Sequence, residues 1–444
     1  MARNNDTVPV DLNMKLNVYA NEILNDVDIN NRPTNFLDLD SLYYDTDQIG
    51  MHLNNLKLNG MAHEYSALHI NIQSLPSKFE KLKLLISELC SANIHLDFIL
   101  LCETFLTDNI ANQFNLPGYN LIYKNRHNKT RGGVAIYLKA EYNFVERNDI
   151  AINIEGSFES IFIEIKSPIK NAIIGEIYRV PNTNETSAIN MYDTILTKLQ
   201  NYKNTVIIGT DQNFDYIKLN EHRNTQELLS AFLSSGLVPT ITRPTRITSR
   251  TATLIDNIYL SLKHNSQIFS GILSVDISDH LPILTCFGLY KKPLTKEPLI
   301  INKRSINLEA TNNISNAIKA INWQYLEHMN IDDAYLNFTQ ELTNILDKFA
   351  PETKISIPAS CIIRDPWMSK GLLKSSKTLN KLHKQKLNKD KTHPTHIKYL
   401  QYRNMYNKLK RETKLTYYDD LFKKYKKLHK ENVECSKFSN WTSK

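Results

Sequence analysis

"FESIFIEIKSPIKNAIIGEIYRV" spans residues 158–180 and holds two strand-like runs separated by a short break. In the first run Ile161, Ile163 and Ile165 alternate with their neighbours, the period of two that marks a strand with one buried face. The second, from Asn171 to Val180, is apolar nearly throughout and closes on Tyr178 and Arg179. Two strands in direct succession leave no room for a crossover helix, so the sheet they enter is mixed or antiparallel. That single feature excludes a regularly wound βαβ protein.

The surrounding sequence repeats the theme. Strand-like runs occur in "SALHINIQSL" (66–75), "LDFILLCETFL" (96–106), "GGVAIYLKA" (132–140), "TVIIGT" (205–210), "TATLIDNIYLS" (251–261) and "PILTCFGLY" (282–290). Amphipathic helices fall between some of them. "KFEKLKLLISELC" (78–90) places Phe79, Leu82, Leu85, Ile86 and Leu89 on one face, and "SAINMYDTILTKLQNY" (187–202) and "TQELLSAFLSSGL" (225–237) follow the same rule. An α/β domain is therefore expected over residues 64–290. Residues 1–63, rich in Asn and Asp, read as a polar N-terminal extension on which no fold is imposed. Residues 291–366 read as a helical linker. Residues 367–444 read as a mostly helical, basic C-terminal region.

Charge separates these parts. The chain of 444 residues carries a net +8. Between Lys370 and Lys430 there are 19 Lys or Arg against 4 Asp or Glu, which leaves the rest of the chain at about −7. Five scattered cysteines (Cys90, Cys102, Cys286, Cys361, Cys435) form no Cys-x-x-Cys pair. They point to a reducing compartment, with neither a disulfide framework nor a zinc site. No apolar run approaches the roughly 20 residues of a membrane span, and the first residues lack a secretory signal. An intracellular protein without a membrane partner is expected.

Polar residues recur where strands end: Asn71 after "LHI", Glu103 after "FILLC", Tyr178 after "IIGEI", Asp211 and Asn213 after "VIIGT", and Asp256 after "TLI". Asp279 and His280 follow in "SVDISDHLPIL" (274–284), framed by Ile277 and the run Leu281–Leu284. Any one of these is more often a turn former than a catalyst. Together they supply what metal-assisted phosphodiester hydrolysis needs: oxygen ligands for a hard cation such as Mg²⁺, a base for water, and donors for charge growing on phosphate oxygens.

The ordered set "NIQSL", "CETFL", "IYRVPN", "GTDQNFD", "LIDNIYL" and "SDHLPI" resembles the endonuclease/exonuclease/phosphatase superfamily. It is most similar to the apurinic-like endonuclease domain of non-LTR (LINE-type, jockey- or CR1-like) retrotransposons. The resemblance covers about residues 65–290 and implies a DNase I-like two-sheet α/β sandwich. It implies that Glu103 and Asn71 hold Mg²⁺, with Mn²⁺ a substitute, and that Tyr178 contacts the scissile phosphate. Asp211 would deprotonate water, with Asn213 supporting the phosphate. Asp256 would orient His280, which stabilises the transition state, and Asp279 would assist the metal or the leaving group. Ser278 would support this loop, and Thr242 in "TRPTR" would lie near the phosphate.

Two departures from the family pattern stand out. Its Gly-Asp-x-Asn is here Gly209-Thr210-Asp211-Gln212-Asn213, and Gln73 stands where repair enzymes tend to carry an acid. Nicking is thus expected in preference to abasic-site repair.

The implied function is a DNA endonuclease that leaves a 3′-hydroxyl for target-primed reverse transcription, acting in the nucleus without an obligate protein partner. The same fold also serves phosphatases and phosphodiesterases of inositol phosphates, lipids or small nucleotides. A third reading is an inactive element remnant that binds nucleic acid. In the tail, Lys408, Lys410, Arg411, Lys414, Lys423 and Lys424 are candidate contacts to DNA or element RNA. The tail resembles the connector to a reverse transcriptase, so an open reading frame truncated before the polymerase is expected.

Overall fold

The computed structural model describes residues 41–58, 61–62, 65–127, 131–166, 171–200, 202, 204–261, 267–291, 299–357 and 365–439. The first 40 residues of the polar extension, and those after residue 439, lie outside the described residues. The chain divides into two compact units, one of Met1–Leu294 with Ile363–Lys444 and one of Thr295–Ile362.

In the first unit, β1 (Leu42–Tyr44), α1 (Thr46–Leu58) and β2 (Met61–Ala62) lead into β3 (Tyr65–Asn71). Next come α2 (Leu75–Ser91), β4 (Phe98–Cys102), β5 (Tyr119–Lys124) and β6 (Val134–Lys139). β7 (Asn143–Glu146), β8 (Phe158–Lys166), β9 (Ala172–Arg179), α3 (Glu185–Gln200) and β10 (Thr205–Asp211) follow. Then come α4 (Arg223–Ser234), β11 (Leu237–Pro239) and the short pair β12 (Arg246–Ile247) and β13 (Ala252–Thr253). β14 (Asp256–Ser261), β15 (Gln267–Leu273) and β16 (Ile283–Lys291) complete two mixed sheets. One runs β1-β15-β16-β3-β4-β6-β5, with β2 attached to β16; the other runs β11-β14-β10-β9-β8-β7. Helices flank them, so the expected two-sheet α/β sandwich is present.

The opening stretch forms the hairpin that two strands in succession predict, but β8 is buried on both faces from Phe158 to Ile163 instead of on the isoleucine face alone. β8 and β9 pair antiparallel, from Phe158 opposite Arg179 to Ile165 opposite Ala172. Gly175 is required there, because a Cβ would lie 2.2 Å from the Phe162 ring. Leu100, Ile136, Phe158, Phe162, Ile174 and Ile207 belong to one continuous core. Burying each such side chain contributes roughly 1.5–3 kcal/mol. On α2, Leu82, Leu85, Ile86 and Leu89 are buried as the spacing predicts. Ser74 caps that helix by accepting from the Ser77 amide, with Pro76 in the first turn.

The sheet begins earlier than residue 64. β1 pairs in parallel with β15, Leu42 to Gly271 through Tyr44 to Leu273, and Ile49 and Leu53 of α1 are buried. A three-residue strand in Asn- and Asp-rich surroundings shows no period, which is why the sequence hides it.

In the second unit, β17 (Leu299–Arg304), α5 (Leu308–Ala320), α6 (Ile331–Phe349) and β18 (Glu352–Ile357) follow in order. β17 and β18 pair antiparallel along their whole length. The expected helical linker is therefore an α/β unit whose strands bracket its helices. Asn307 and Asn330 cap the two helices. Arg304 pairs with Asp347 at 2.6 Å, tying β17 to α6.

The basic tail forms α7 (Lys370–Lys386) and α8 (Pro394–Ser439), joined through Trp367, Met368, Leu372, Leu379, Leu382, Tyr399 and Tyr406. It docks on the sandwich. Leu387 joins the main core, Lys377 meets Asp47 at 2.8 Å, Lys384 meets Asp45 at 3.6 Å, and Lys410 meets Glu80 at 3.1 Å. His383 of α7 is buried with its Nε2 4.0 Å from Asp276.

Burial pushes His383 down to about 4, against the raising influence of Asp276. The fold holds this ring neutral, so its contribution is intact above the unfolded value of about 6.5. It is lost as pH falls from there toward 4, by about 3 kcal/mol at full protonation. The thermal midpoint of the full chain should therefore fall more steeply between pH 6.5 and 4 than that of His383→Gln. Parallel curves for the two proteins would show that the ring does not titrate with folding.

Candidate active site

Strand register assembles the site. In the second sheet, Asp211 at the end of β10 stands opposite Tyr178 of β9 and opposite Asp256 of β14. Three motif residues thus form one row across three strands. In the first sheet, Asn71 ends β3 and Glu103 directly follows the end of β4. The Asn71 side-chain amide donates to Glu103 Oε1 and to Asp211 Oδ2, each at 2.8 Å, and so joins the two sheets at this edge. The Tyr178 hydroxyl lies within electrostatic reach of Glu103 and Asp211.

The loop between β15 and β16 closes the cluster. His280 Nδ1 lies 2.9 Å from Asp256 Oδ2 and 3.0 Å from Oδ1, which leaves Nε2 as the nitrogen available to a substrate. Ser278 Oγ donates at 2.7 Å to the Asn71 carbonyl and accepts from the His280 amide at 3.2 Å. It thereby ties the loop to the end of β3. Asn213 stands in left-handed backbone at φ 51°. Its side-chain amide donates to the Arg179 carbonyl at 2.7 Å, and its backbone amide reaches Asp211 Oδ1 at 3.3 Å.

Two expected residues sit differently. Thr242 is buried, and its Oγ1 accepts at 3.1 Å from the Ser41 amide. It anchors the N-terminal segment and takes no part in the cluster. Thr245 supplies the hydroxyl instead, donating to Asp256 Oδ2 at 2.5 Å. Asp279 engages Arg246 at 2.7 Å and hydrogen-bonds Gln73, and its side chain is 40% exposed. It borders the cluster. In the tail, Lys410 and Lys414 pair with Glu80, Lys408 with Glu412, and Lys423 with Asp419. Among the described tail candidates, Arg411 and Lys424 remain outside these pairs.

Behind the cluster runs a buried chain that the sequence reading missed. His69 Nε2 is 3.5 Å from Asp256 Oδ1, and its Nδ1 is 3.0 Å from Glu176 Oε1. Cys102 Sγ lies 2.7 Å from the same Glu176 oxygen. Gly209 makes room for this chain, since a Cβ would lie 2.3 Å from Glu176 Oε2 and 3.1 Å from His69 Nδ1. Thr210, where the family carries glycine, points its hydroxyl to Tyr192 of α3 at 3.2 Å. The threonine therefore leaves the site undisturbed. A signal existed: His69 and Glu176 precede Asn71 and Tyr178 by two residues, so each shares a strand face with a site residue.

Electrostatics follow from this packing. Burial and the neighbouring Asp256 push the Asp211 carboxyl up to about 7, against the opposing pull of His280 and Asn71. Burial alone would depress His280, but Asp256 outweighs it and raises the imidazole to about 9. Asp256 is held below the usual carboxylate range; burial opposes this, and His280 and His69 prevail. A base near neutrality thus stands beside a histidine that stays protonated.

Asp211, Asp256 and His280 present ligand atoms within 4.8 Å of one another, as do His69, Cys102 and Glu176. A protonated imidazole does not ligate, and Glu176 already engages both of its neighbours. The carboxylate oxygens of Glu103 and Asp211 fit a hard divalent cation better, and Asn71 faces them with its Nδ2 while its Oδ1 accepts from the Gln73 amide at 3.3 Å.

No family model matches the chain, and no curated protein matches it. Solved structures are similar over half of it. The endonuclease domain of TRAS1, a telomere-specific non-LTR retrotransposon, is 14% identical over 50% of this chain and 97% of that one, with a TM-score of 0.40. An endonuclease/exonuclease/phosphatase family protein from Bacteroides thetaiotaomicron is 14% identical over 51% and 98%, with a TM-score of 0.38. A mannosyl-6-phosphatase from Bacteroides thetaiotaomicron is 15% identical over 50% and 99%, with a TM-score of 0.37.

Replacing Asp256 by Asn removes the charge that holds the His280 proton. In metal-free protein, an NMR titration should show the ring pKa falling by about 2 units or more. An unchanged value would mean that Asp256 does not set the state of His280.

Proposed function

We propose that the chain is a divalent-metal-dependent phosphodiesterase that nicks DNA. The supporting observation is the convergence of Asn71 and Glu103 from one sheet with Tyr178, Asp211, Asp256 and His280 at the same edge. Glu103, with Asp211 beside it, would hold the cation, to which Asn71 would offer Oδ1 on turning its amide over, and which when bound screens phosphate charge and favours hydroxide over water. Asp211 takes a proton from the attacking water. The water oxygen bonds to phosphorus as the bond to the 3′ oxygen breaks, and that oxygen leaves with the bonding pair and takes a proton from solvent water to become a 3′-hydroxyl able to prime DNA synthesis. His280 donates its Nε2 proton as a hydrogen bond to a phosphate oxygen, whose charge grows in the transition state. Tyr178 directs its hydroxyl to the same region.

Supercoiled plasmid incubated with Mg²⁺ should relax to open circles, and EDTA should abolish the reaction. His280→Ala and Glu103→Ala should each slow nicking by about 10²–10⁴-fold while keeping the thermal midpoint within a few degrees. Equal nicking by both variants would overturn the assignment. Turnover of inositol phosphates in preference to plasmid would move the same site to a phosphatase.

A further inference from the structure

The loop bearing Asp279 and His280 does not stand alone. Asp276, three residues before Asp279, is inserted between α2 and the tail. Its amide donates to Asn380 Oδ1 of α7 at 3.2 Å, and its carbonyl accepts from Lys81 of α2 at 2.7 Å. Its carboxylate lies 3.6 Å from Lys81 Nζ and 4.0 Å from His383 Nε2 of α7, whose ring packs on Tyr399 of α8 at 5.7 Å between ring centres. The two tail helices are thereby fastened to the rim of the site.

This fastening gathers cations in excess. Lys386 Nζ lies 5.0 Å and Arg403 Cζ 5.4 Å from the centre of the Tyr399 ring, so both flank the anchor. Lys78 of α2 lies within electrostatic reach of Asp279 and Glu103, and Lys386 within reach of Asp279 and Asp276. All three cations are half-buried. Lys78 and Lys386 form no ion pair among the described residues. Burial lowers both, and so does a neighbouring cation: Lys81 for Lys78, Arg403 for Lys386. Positive charges half-removed from water and crowded together are stabilised by a polyanion. Here they come from three elements, α2, α7 and α8, more cations than one phosphate monoester would use.

We infer that the α7–α8 hairpin forms one wall of the DNA groove, with Lys78, Lys386 and Arg403 contacting consecutive phosphates on one side of the scissile bond. This rests on the DNA-nicking reading of the site. It also moves the contact away from Lys410 and Lys414, which Glu80 engages.

The test uses the full chain with His280→Ala, so that a labelled DNA duplex is bound without being cut. Adding Lys386→Ala and Arg403→Ala should weaken binding about tenfold at moderate salt and lower the slope of log K against log salt by about 2. Lys386→Arg with Arg403→Lys should restore the slope. Lys374→Ala with Lys381→Ala, which removes two exposed charges from α7 itself, should leave it unchanged. An unchanged slope in the first variant, or an equal loss in the second, overturns the inference even if the wild type nicks plasmid. An RNA duplex bound more tightly with the same dependence overturns the choice of DNA. Failure of the wild type to nick plasmid overturns the underlying reading instead, so the two failures are separable.

Discussion

Glu176, His69, Asp256 and His280 follow one another in contact, acid and histidine alternating, and none is more than 4% exposed. Each charge alone would cost several kcal/mol to bury. In series each is flanked by the opposite sign, which is the condition under which such groups remain in a core. The arrangement constrains everything near it. Asp256 must sit at the start of β14 to meet both histidines, and its pairing with Asp211 then fixes where β10 ends. Gly209 must be glycine to leave Glu176 its space. The active cluster is thus the outer end of a structural feature that begins inside the sandwich.

This explains which parts were legible in the sequence. The β8–β9 hairpin could be read because Ile161, Ile163 and Ile165 alternate and no helix intervenes. Asn71, Glu103, Tyr178, Asp211, Asp256 and His280 could be read because polar residues ending apolar strands stand out against them. His69 and Glu176 were hidden for the opposite reason. They lie within strands, where a single polar residue looks like an outward-facing one, and only the packing of one sheet on the other shows that they face inward. Thr242 and Thr245 are three residues apart in a loop without a period, so choosing between them required the position of Asp256. The strands β1, β17 and β18 were missed because they are short or lie among stretches dominated by helical spacing.

The charge imbalance between tail and body takes on a different meaning once the tail is docked. A strongly basic segment beside an acidic body reads as a nucleic-acid arm, yet several of its lysines meet Asp45, Asp47 and Glu80. Exposed pairs of this kind contribute about 0–1 kcal/mol each, so they do not account for the docking by themselves. Leu387 in the main core and the insertion of Asp276 contribute burial and directed hydrogen bonds. The pairs align the hairpin, and Lys386 is among the cations they leave unpaired.

Five of the eight non-glycine residues with positive φ among the described residues lie at or next to the site. Gln73, Ser74, Glu103, Phe105 and Asn213 all have φ between 45° and 87°, a region costing non-glycine residues roughly 1–3 kcal/mol each when held. Such conformations persist only where surrounding bonds over-determine them, and here they do. The Ser74 amide donates to the Glu103 carbonyl and the Leu75 amide to that of Thr104, each at 2.8 Å. The amides of Thr104 and Phe105 donate to the carbonyls of Gly133 and Gly132 at 3.2 and 2.9 Å. Relaxing Glu103 to an ordinary conformation would break this lattice and free the start of α2. The carboxylate is therefore held in place by backbone that no substrate has to reorganise, and the cost of that rigidity was met when the sandwich folded.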